Sequence, residues 1–299
     1  MTSIREVDPE RDAEGVVELV RASSPSAVIS PASWRHRVAT IPERARVKGW
    51  VVEDDGAIVG NAYALRNFFT EGSATGWVSV DVGASHRGRG LGAQLYELVD
   101  EHARELGATS QLVTFYETDA GVSFARAHGF HEVRAEVDSA VDPRTVSEPP
   151  PVAVDLRHVG DVDPALVYRV DIEATRDVPA TEPMDHIPYD EWEQHVLAHP
   201  LFTPEGSFVA IVDGVAAAVS LLIVDNAGRA TSMFTGTLRD YRGRGLARAV
   251  KLASIEWAAA NGVTQLVTTN DERNAPMLAI NRRLGYEPVG RRVEWLKEL

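Results

Sequence analysis

Apolar and polar positions follow one succession twice along the chain. Residues 51–60 (Val51, Val52, Glu53, Asp54, Asp55, Gly56, Ala57, Ile58, Val59, Gly60) set an Asp-Gly pair between two β-prone runs, and residues 208–217 do the same around Asp213 and Gly214. Asp-Gly supplies the positive φ angles of a tight hairpin, so each segment predicts two antiparallel strands. A further β-prone run follows at 76–82 and again at 231–237. Behind it, Leu91, Leu95, Leu98, Val99 and Leu106 share one face at helical spacing, matched by Leu246, Val250, Ala253, Ser254 and Trp257. Gly107 and Gly262 are suited to stop these helices.

The two successions are copies. Gln111-Leu112-Val113-Thr114 recurs unchanged as Gln265-Leu266-Val267-Thr268, an offset of 154. The opening Ile4-Arg5-Glu6-Val7 resembles Leu156-Arg157-His158-Val159 at 152, and Gly129-Phe130 returns as Gly285-Tyr286 at 156. Ordered matches at nearly constant offset identify a duplicated unit. Residues 138–152 hold Pro143 and the run Pro149-Pro150-Pro151, which disfavours helix and central strand. The division expected is therefore an N-terminal domain at 1–140, a linker at 141–152 and a C-terminal domain at 153–299.

Composition narrows the function classes. With 299 residues and 44% apolar content the chain can build two packed cores. No apolar run is long enough to span a bilayer, the N-terminus lacks a basic region followed by an apolar stretch, and a cytoplasmic location is expected. The absence of cysteine excludes disulfides, thiolate metal sites and a cysteine nucleophile. A net charge of −14 argues against nucleic-acid binding, so any polyanionic ligand must be met by local cations.

Those cations cluster at two glycine loops, Arg87-Gly88-Arg89-Gly90-Leu91-Gly92 and Arg242-Gly243-Arg244-Gly245-Leu246-Ala247, each between a strand and a helix. Glycines let main-chain amides converge on one anion, and the electropositive helix end completes a diphosphate site. Arg248 and Lys251, one turn further on, add cations that suit a terminal phosphate. The first loop also fits the dinucleotide pattern G-x-G-x-x-A, but Arg248 breaks that pattern in the second and both loops follow several strands.

A loop of the form R/Q-x-x-G-x-G/A after a strand, the helix behind it and a final helix ending in Gly-Phe or Gly-Tyr resemble the GNAT N-acetyltransferase superfamily, in a tandem layout similar to mycothiol synthases. The resemblance covers nearly the whole chain twice and is stronger over 242–288. It implies an α/β (α+β) fold of two GNAT-like domains, each a mixed, mostly antiparallel sheet flanked by helices. Acetyl-CoA would lie where two central strands splay, beside Val82 and Thr237, with Arg87, Gly88, Arg89, Gly90, Leu91, Gly92, Arg242, Gly243, Arg244, Gly245, Leu246 and Ala247 at its diphosphate. Asn274, before the final helix, and Asn281, on it, are further coenzyme contacts on this resemblance.

The expected reaction is direct transfer from the thioester to a primary amine of a small molecule. An amine of pKa near 10 is only about 0.1% unprotonated at pH 7, so a base or water relay must take its proton. Many family members protonate the leaving thiolate with a tyrosine four residues before the Gly-Phe glycine, whereas this chain has Ala125 and Asn281 there. Tyr116 and Tyr286 are alternatives, each better read as a packing residue. Asn274, facing Thr118 in the other copy, favours the C-terminal domain as catalytic, while Asp81, facing Gly236, is a carboxylate placed to act as base or to orient an ammonium. Residues 171–202 carry acids and aromatics, including Asp185, His186 and Tyr189, which suit a cationic acceptor. His195 and His199 have a helical metal-pair spacing but lack a third ligand, so no metal is expected. The competing reading is a degenerate acyl-CoA-binding sensor or a scaffold for a partner; on the leading reading the partner expected is a small-molecule amine acceptor, with no nucleic acid or membrane and the chain as monomer or homodimer.

Overall fold

A computed structural model describes residues 2–150, 152–185 and 187–299; Met1, Pro151 of the linker and His186 of the acceptor region lie outside the described residues. The chain forms two compact units, Met1–Ala135 with Arg291–Leu299, and Glu136–Gly290.

Unit 1 contains β1 (Ser3–Glu6), α1 (Pro9–Ser23), α2 (Pro31–Thr40), β2 (Lys48–Asp54), β3 (Ala57–Arg66), β4 (Thr75–Val82), α3 (Leu91–Glu105), β5 (Ser110–Tyr116), α4 (Asp119–Ala127) and the start of β6 (His131–Val141). Unit 2 takes the end of β6 and then β7 (Asp155–His158), α5 (Pro164–Thr175), α6 (Tyr189–His195), β8 (Phe208–Val212), β9 (Val215–Val224), β10 (Arg229–Thr237), α7 (Leu246–Ala260), β11 (Gln265–Asp271), α8 (Ala275–Arg283) and the start of β12 (Glu287–Glu298).

Both hairpins form as the alternation implies. Asp55 and Gly56 take φ of 48° and 83°, and Asp213 and Gly214 take 51° and 79°, the mirror-image turn that matches strand twist. In β2 the period of two sends Trp50 and Val52 to a core shared with α3 and Val51 to a core shared with α1, so helices cover both faces of the sheet. β9 is buried at every position from Ala216 to Ile223 and reads as an apolar run broken only by Ser220, because it too is covered twice.

The strand order in unit 1 is β1-β2-β3-β4-β5-β12, and in unit 2 it is β6-β11-β10-β9-β8-β7. Each unit is thus completed by the strand that follows the last helix of the other. β12 pairs antiparallel with β5 from Arg292↔Tyr116 to Glu298↔Ser110, and β6 pairs with β11 from Val141↔Leu266 to Glu136↔Asp271. Val293 and Trp295 of β12 are buried in the first unit's core, and Val141 of β6 in the second's. Where the sequence leads one to expect a linker at 141–152, the described residues of that stretch fall within unit 2, and the last nine residues, 291–299, fall within unit 1. No helix among the described residues is long and apolar enough to cross a membrane.

Candidate acyl-coenzyme sites

The sites are built from a parallel strand pair that separates. β4 and β5 are in register only over Thr75↔Ser110, Gly76↔Gln111 and Trp77↔Leu112, yet β4 runs on to Val82 and β5 to Tyr116. β10 and β11 repeat this over Arg229↔Gln265, Ala230↔Leu266 and Thr231↔Val267. Beyond each vertex the facing strand edges leave main-chain groups free of that ladder. The second splay has an additional cause: β10 carries a bulge between Ser232 and Phe234, which bends it away, while β4 stays in unbroken register with β3.

At the open end each strand turns through a glycine loop into its helix. Gly88 and Gly90 have φ of 75° and 80°, and Gly243 and Gly245 have 74° and 80°, conformations that side-chain-bearing residues rarely adopt. Open space surrounds the position a Cβ would take at Gly88 and at Gly243. Gly90 and Gly245 are the N-caps of α3 and α7, and neither helix has a side-chain cap. By contrast Asp8, Ser30, Thr118, Asp163 and Asn274 cap α1, α2, α4, α5 and α8 with their own oxygens. The first-turn amides of α3 and α7 are therefore offered to an external anion, as a diphosphate requires.

The arginines brace these loops. Arg87 Nε donates to Val82 O at 2.9 Å and Arg242 Nε to Thr237 O at 3.1 Å, while Arg89 and Arg244 donate to Ser85 O and Asp240 O at 3.0 and 3.1 Å. Leu91 and Leu246 anchor the helix starts in their cores, and a Cβ on Gly92 would meet the Phe124 ring at 3.2 Å. Ala247, half-buried, takes the place of Gly92 in the second copy. Two cations expected at a phosphate are placed elsewhere. Arg248 pairs with Glu148 at 2.9 Å, and Lys251 is buried, because α7 is covered on more of its circumference than one amphipathic face.

The units differ beyond the loops. In unit 1, Ser23 donates to Asp81 Oδ2 at 2.5 Å, and the hydroxyls of Ser26 and Tyr116 are in contact, so the turn after α1 reaches both splayed strands. Burial pushes the Asp81 carboxyl up, against the opposing pull of Ser23 and Arg87. In unit 2, Gly236 stands at that position, and a Cβ there would fall 2.6 Å from Ala174 of α5, which leaves no room for a carboxylate. The segment after α5 is held instead by Asp177, which pairs with Arg239 and, at 2.5 Å, with Arg242; these guanidiniums hold its carboxyl well below the usual range.

Among the buried polar atoms of unit 2 that have no hydrogen-bond partner among the described residues are Thr237 Oγ1, Asn281 Oδ1 and the Tyr286 hydroxyl. Asn281 of α8 donates through Nδ2 to Asn270 Oδ1 at 2.6 Å, which ties it to β11 beyond the vertex. Asn274 spends its oxygen capping α8 at Met277 N, the same work that Thr118 does for α4 at Gly121 N, so the two positions contrast less than their chemistry implies. Thr237 Oγ1 and the uncapped helix ends suit a ligand that brings amides and a diphosphate, as acetyl-CoA does, with the thioester supplying the acyl group.

On the acceptor side, Tyr189 opens α6, donates to Glu193 Oε1 at 3.0 Å and stands edge-on to Tyr168 at 5.3 Å. Trp192 Nε1 donates to Asp171 Oδ2 at 2.8 Å, tying α6 to α5; burial pushes the Asp171 carboxyl up to about 6. Asp185 is exposed on the segment before α6. Among the described residues no group of three histidines and acids could hold a metal ion. Ser23 carries no motif and emerges only from the fold, whereas Asp171 and Asp177 lie in the acidic region read from the sequence and only their partners emerge from the fold.

Solved structures share this architecture. A tandem GNAT protein from the clavulanic acid biosynthesis pathway superposes with a TM-score of 0.77 at 21% identity, covering 100% of this chain and 98% of its own. A GCN5-related N-acetyltransferase from Sphaerobacter thermophilus gives 0.68 at 21% identity, covering 99% and 95%. No curated protein sequence matches the chain. The model of the acetyltransferase (GNAT) family matches twice, over residues 14–130 and 169–286, each match spanning the splayed strands and the glycine loop, and the chain belongs to that family.

Proposed function

We propose that the protein is an acetyl-CoA-dependent N-acetyltransferase that acetylates a primary amine of a small molecule, with unit 2 as the catalytic unit. Family membership supports acyl transfer in general. One observation carries the coenzyme: in both units an uncapped helix begins at a glycine of positive φ beside a parallel pair that has come apart. Unit 2 is favoured because its polar atoms near the splay, Thr237 Oγ1 and Asn281 Oδ1, await partners, whereas Asp81 and Tyr116 of unit 1 are engaged by Ser23 and Ser26.

The acceptor is a cation on this reading. Tyr168, Tyr189 and Trp192 form an aromatic cluster with Asp185, Asp190 and Glu193 nearby in sequence, a combination that attracts ammonium groups. Acetylation joins the amine nitrogen to the acyl carbon, breaks the carbon–sulfur bond and releases coenzyme A thiolate. Titration calorimetry with acetyl-CoA, followed by thiol release against a panel of small amines, tests the proposal. Uptake of coenzyme with amine-dependent thiol release is expected. Uptake with no thiol release across the panel would instead support the sensor or scaffold reading.

A further inference from the structure

The α7 position that faces the vertex of the second splay holds a lysine with no counter-ion among the described residues. Lys251 is 1% exposed, and its Nζ lies 3.4 Å from Thr268 Oγ1 and 4.7 Å from the centre of the Tyr286 ring. Thr268 is the first residue of β11 past Val267, the last one paired with β10. Two residues on, and so on the same face of β11, Asn270 binds Asn281. Lys251, Thr268, Asn270, Asn281 and Tyr286 thus gather between α7, α8 and β11, and the Asn281 Oδ1 and Tyr286 hydroxyl in this group lack partners among the described residues.

Two buried carboxylates on the adjoining strands engage other groups. Asp138 of β6 accepts from Thr269, whose side chain points to the other face of β11 from Thr268, and Asp271 binds Arg273. Unit 1 shows what a balanced version looks like. The residue equivalent to Lys251 is Tyr96, offset by 155, and its hydroxyl donates to Gln111 Oε1 at 2.7 Å and accepts from Lys297 Nζ at 2.8 Å. Asp100 accepts from Gln111 at 2.8 Å and pairs with Lys297 at 3.4 Å; its equivalent in unit 2 is Ile255. A buried cation without an anion is costly, and an anion delivered by a ligand offsets that cost.

Resting on the proposed coenzyme site, we infer that Lys251 is the catalytic group that meets the departing coenzyme A sulfur in unit 2. An arm that enters the splay from the α7 end runs toward the vertex, where Thr268 and Lys251 lie. When the amine nitrogen bonds to the acyl carbon, the carbon–sulfur electron pair goes to sulfur, and the Lys251 ammonium stands against the thiolate that forms. The acceptor amine loses its proton to water, and the thiolate leaves with coenzyme A. Burial disfavours the Lys251 ammonium, and an anion brought beside it restores it, so ammonium and thiolate stabilise each other.

The test reads the coenzyme and not the reaction. Coenzyme A is bound to protein carrying Gly90→Glu, which silences unit 1, and its thiol is titrated by thiolate ultraviolet absorbance while calorimetry follows uptake. With Lys251 present the bound thiol is expected to titrate at least about one pH unit below free coenzyme A. Lys251→Arg keeps that shift, and Lys251→Met, apolar and of similar length, returns it to the free value. An unshifted thiol on protein that still takes up coenzyme, or a shift that survives Lys251→Met, overturns the inference and leaves the coenzyme site standing. Absence of uptake by protein with Lys251 overturns both.

Discussion

Tyr96 and Lys251 occupy one position of the repeat and have opposite surroundings. Around Tyr96 every charge is answered: Lys297 arrives on the exchanged strand β12, and Asp100 and Gln111 complete the ring. Around Lys251 the cation has moved onto the helix, the carboxylate has become Ile255, and polar atoms are left over. The loops show no such drift, since Gly88 and Gly243, Gly90 and Gly245, and the bonds of their arginines agree closely. The geometry of the glycine loops has stayed common to both copies, and the floor of the splay is where they have parted.

The largest effect tests the strand exchange that lets unit 1 have its lysine. Deleting residues 291–299 removes β12 from β5, and with it buried Val293, Trp295 and the Arg134–Glu294 pair. Loss of a buried tryptophan alone costs about 3–5 kcal/mol, close to the whole stability of a small domain. Unit 1 is expected to unfold while unit 2 keeps coenzyme uptake, seen as one calorimetric site in place of two and a second, lower thermal transition. Loss of both sites would show that the units do not fold separately.

Next in size are the loop variants. Glutamate at Gly90 or Gly245 strains a backbone near φ 80° and puts a carboxylate where a diphosphate belongs. Gly245→Glu is expected to lower amine-dependent thiol release on the order of 100-fold, corresponding to about 2.7 kcal/mol of coenzyme binding. Gly90→Glu should change it less than about twofold, within the small effects of changes remote from a site. The reverse ranking would move catalysis to unit 1 and to Asp81.

Lys251→Met probes the comparison through stability. A lysine whose folded pKa lies near 7, below its unfolded value of about 10.4, destabilises fully at pH below 7, and that cost disappears as pH rises between the two values. Wild-type protein should therefore gain stability from pH 7 to pH 9 at up to about 1.4 kcal/mol per unit, to the extent that other groups do not titrate. Lys251→Met should melt higher at pH 7 and lose this slope. A slope retained by the variant would place the titration on another group.

How far the sequence discloses these features depends on the range of the physics. The hairpins, the loops and the coenzyme helices follow from turn residues and periodicity, both local, and duplication doubles each signal. The exchange of β6 and β12 is not local. A strand's alternation says that it pairs, and in a repeat the two available edges, β5 and β11, carry the same pattern. Lys251 was legible as a cation and misplaced as a phosphate ligand because α7 is buried at Lys251, Leu252 and Ile255 as well as at Leu246 and Val250. Asn274 reads as a site residue by resemblance and serves as a helix cap.

The smallest effect concerns the segment that shapes the acceptor side. In unit 2, Asp177 ties it to Arg239 and Arg242, and Arg242 also braces the coenzyme loop through Thr237 O; Arg87, the equivalent in unit 1, braces Val82 O and forms no ion pair among the described residues. The pair is largely solvated, and such pairs are worth up to about 1 kcal/mol. Asp177→Asn removes a negative charge beside an anion site, so acetyl-CoA affinity of unit 2 should rise by up to about fivefold, more at low salt than at high. A segment cut loose from the loop would act oppositely on the acceptor, whose KM should rise. Calorimetry at two ionic strengths with a KM measurement separates the two effects, and a fall in coenzyme affinity would mean that Asp177 holds the loop in its binding shape more than it opposes the diphosphate.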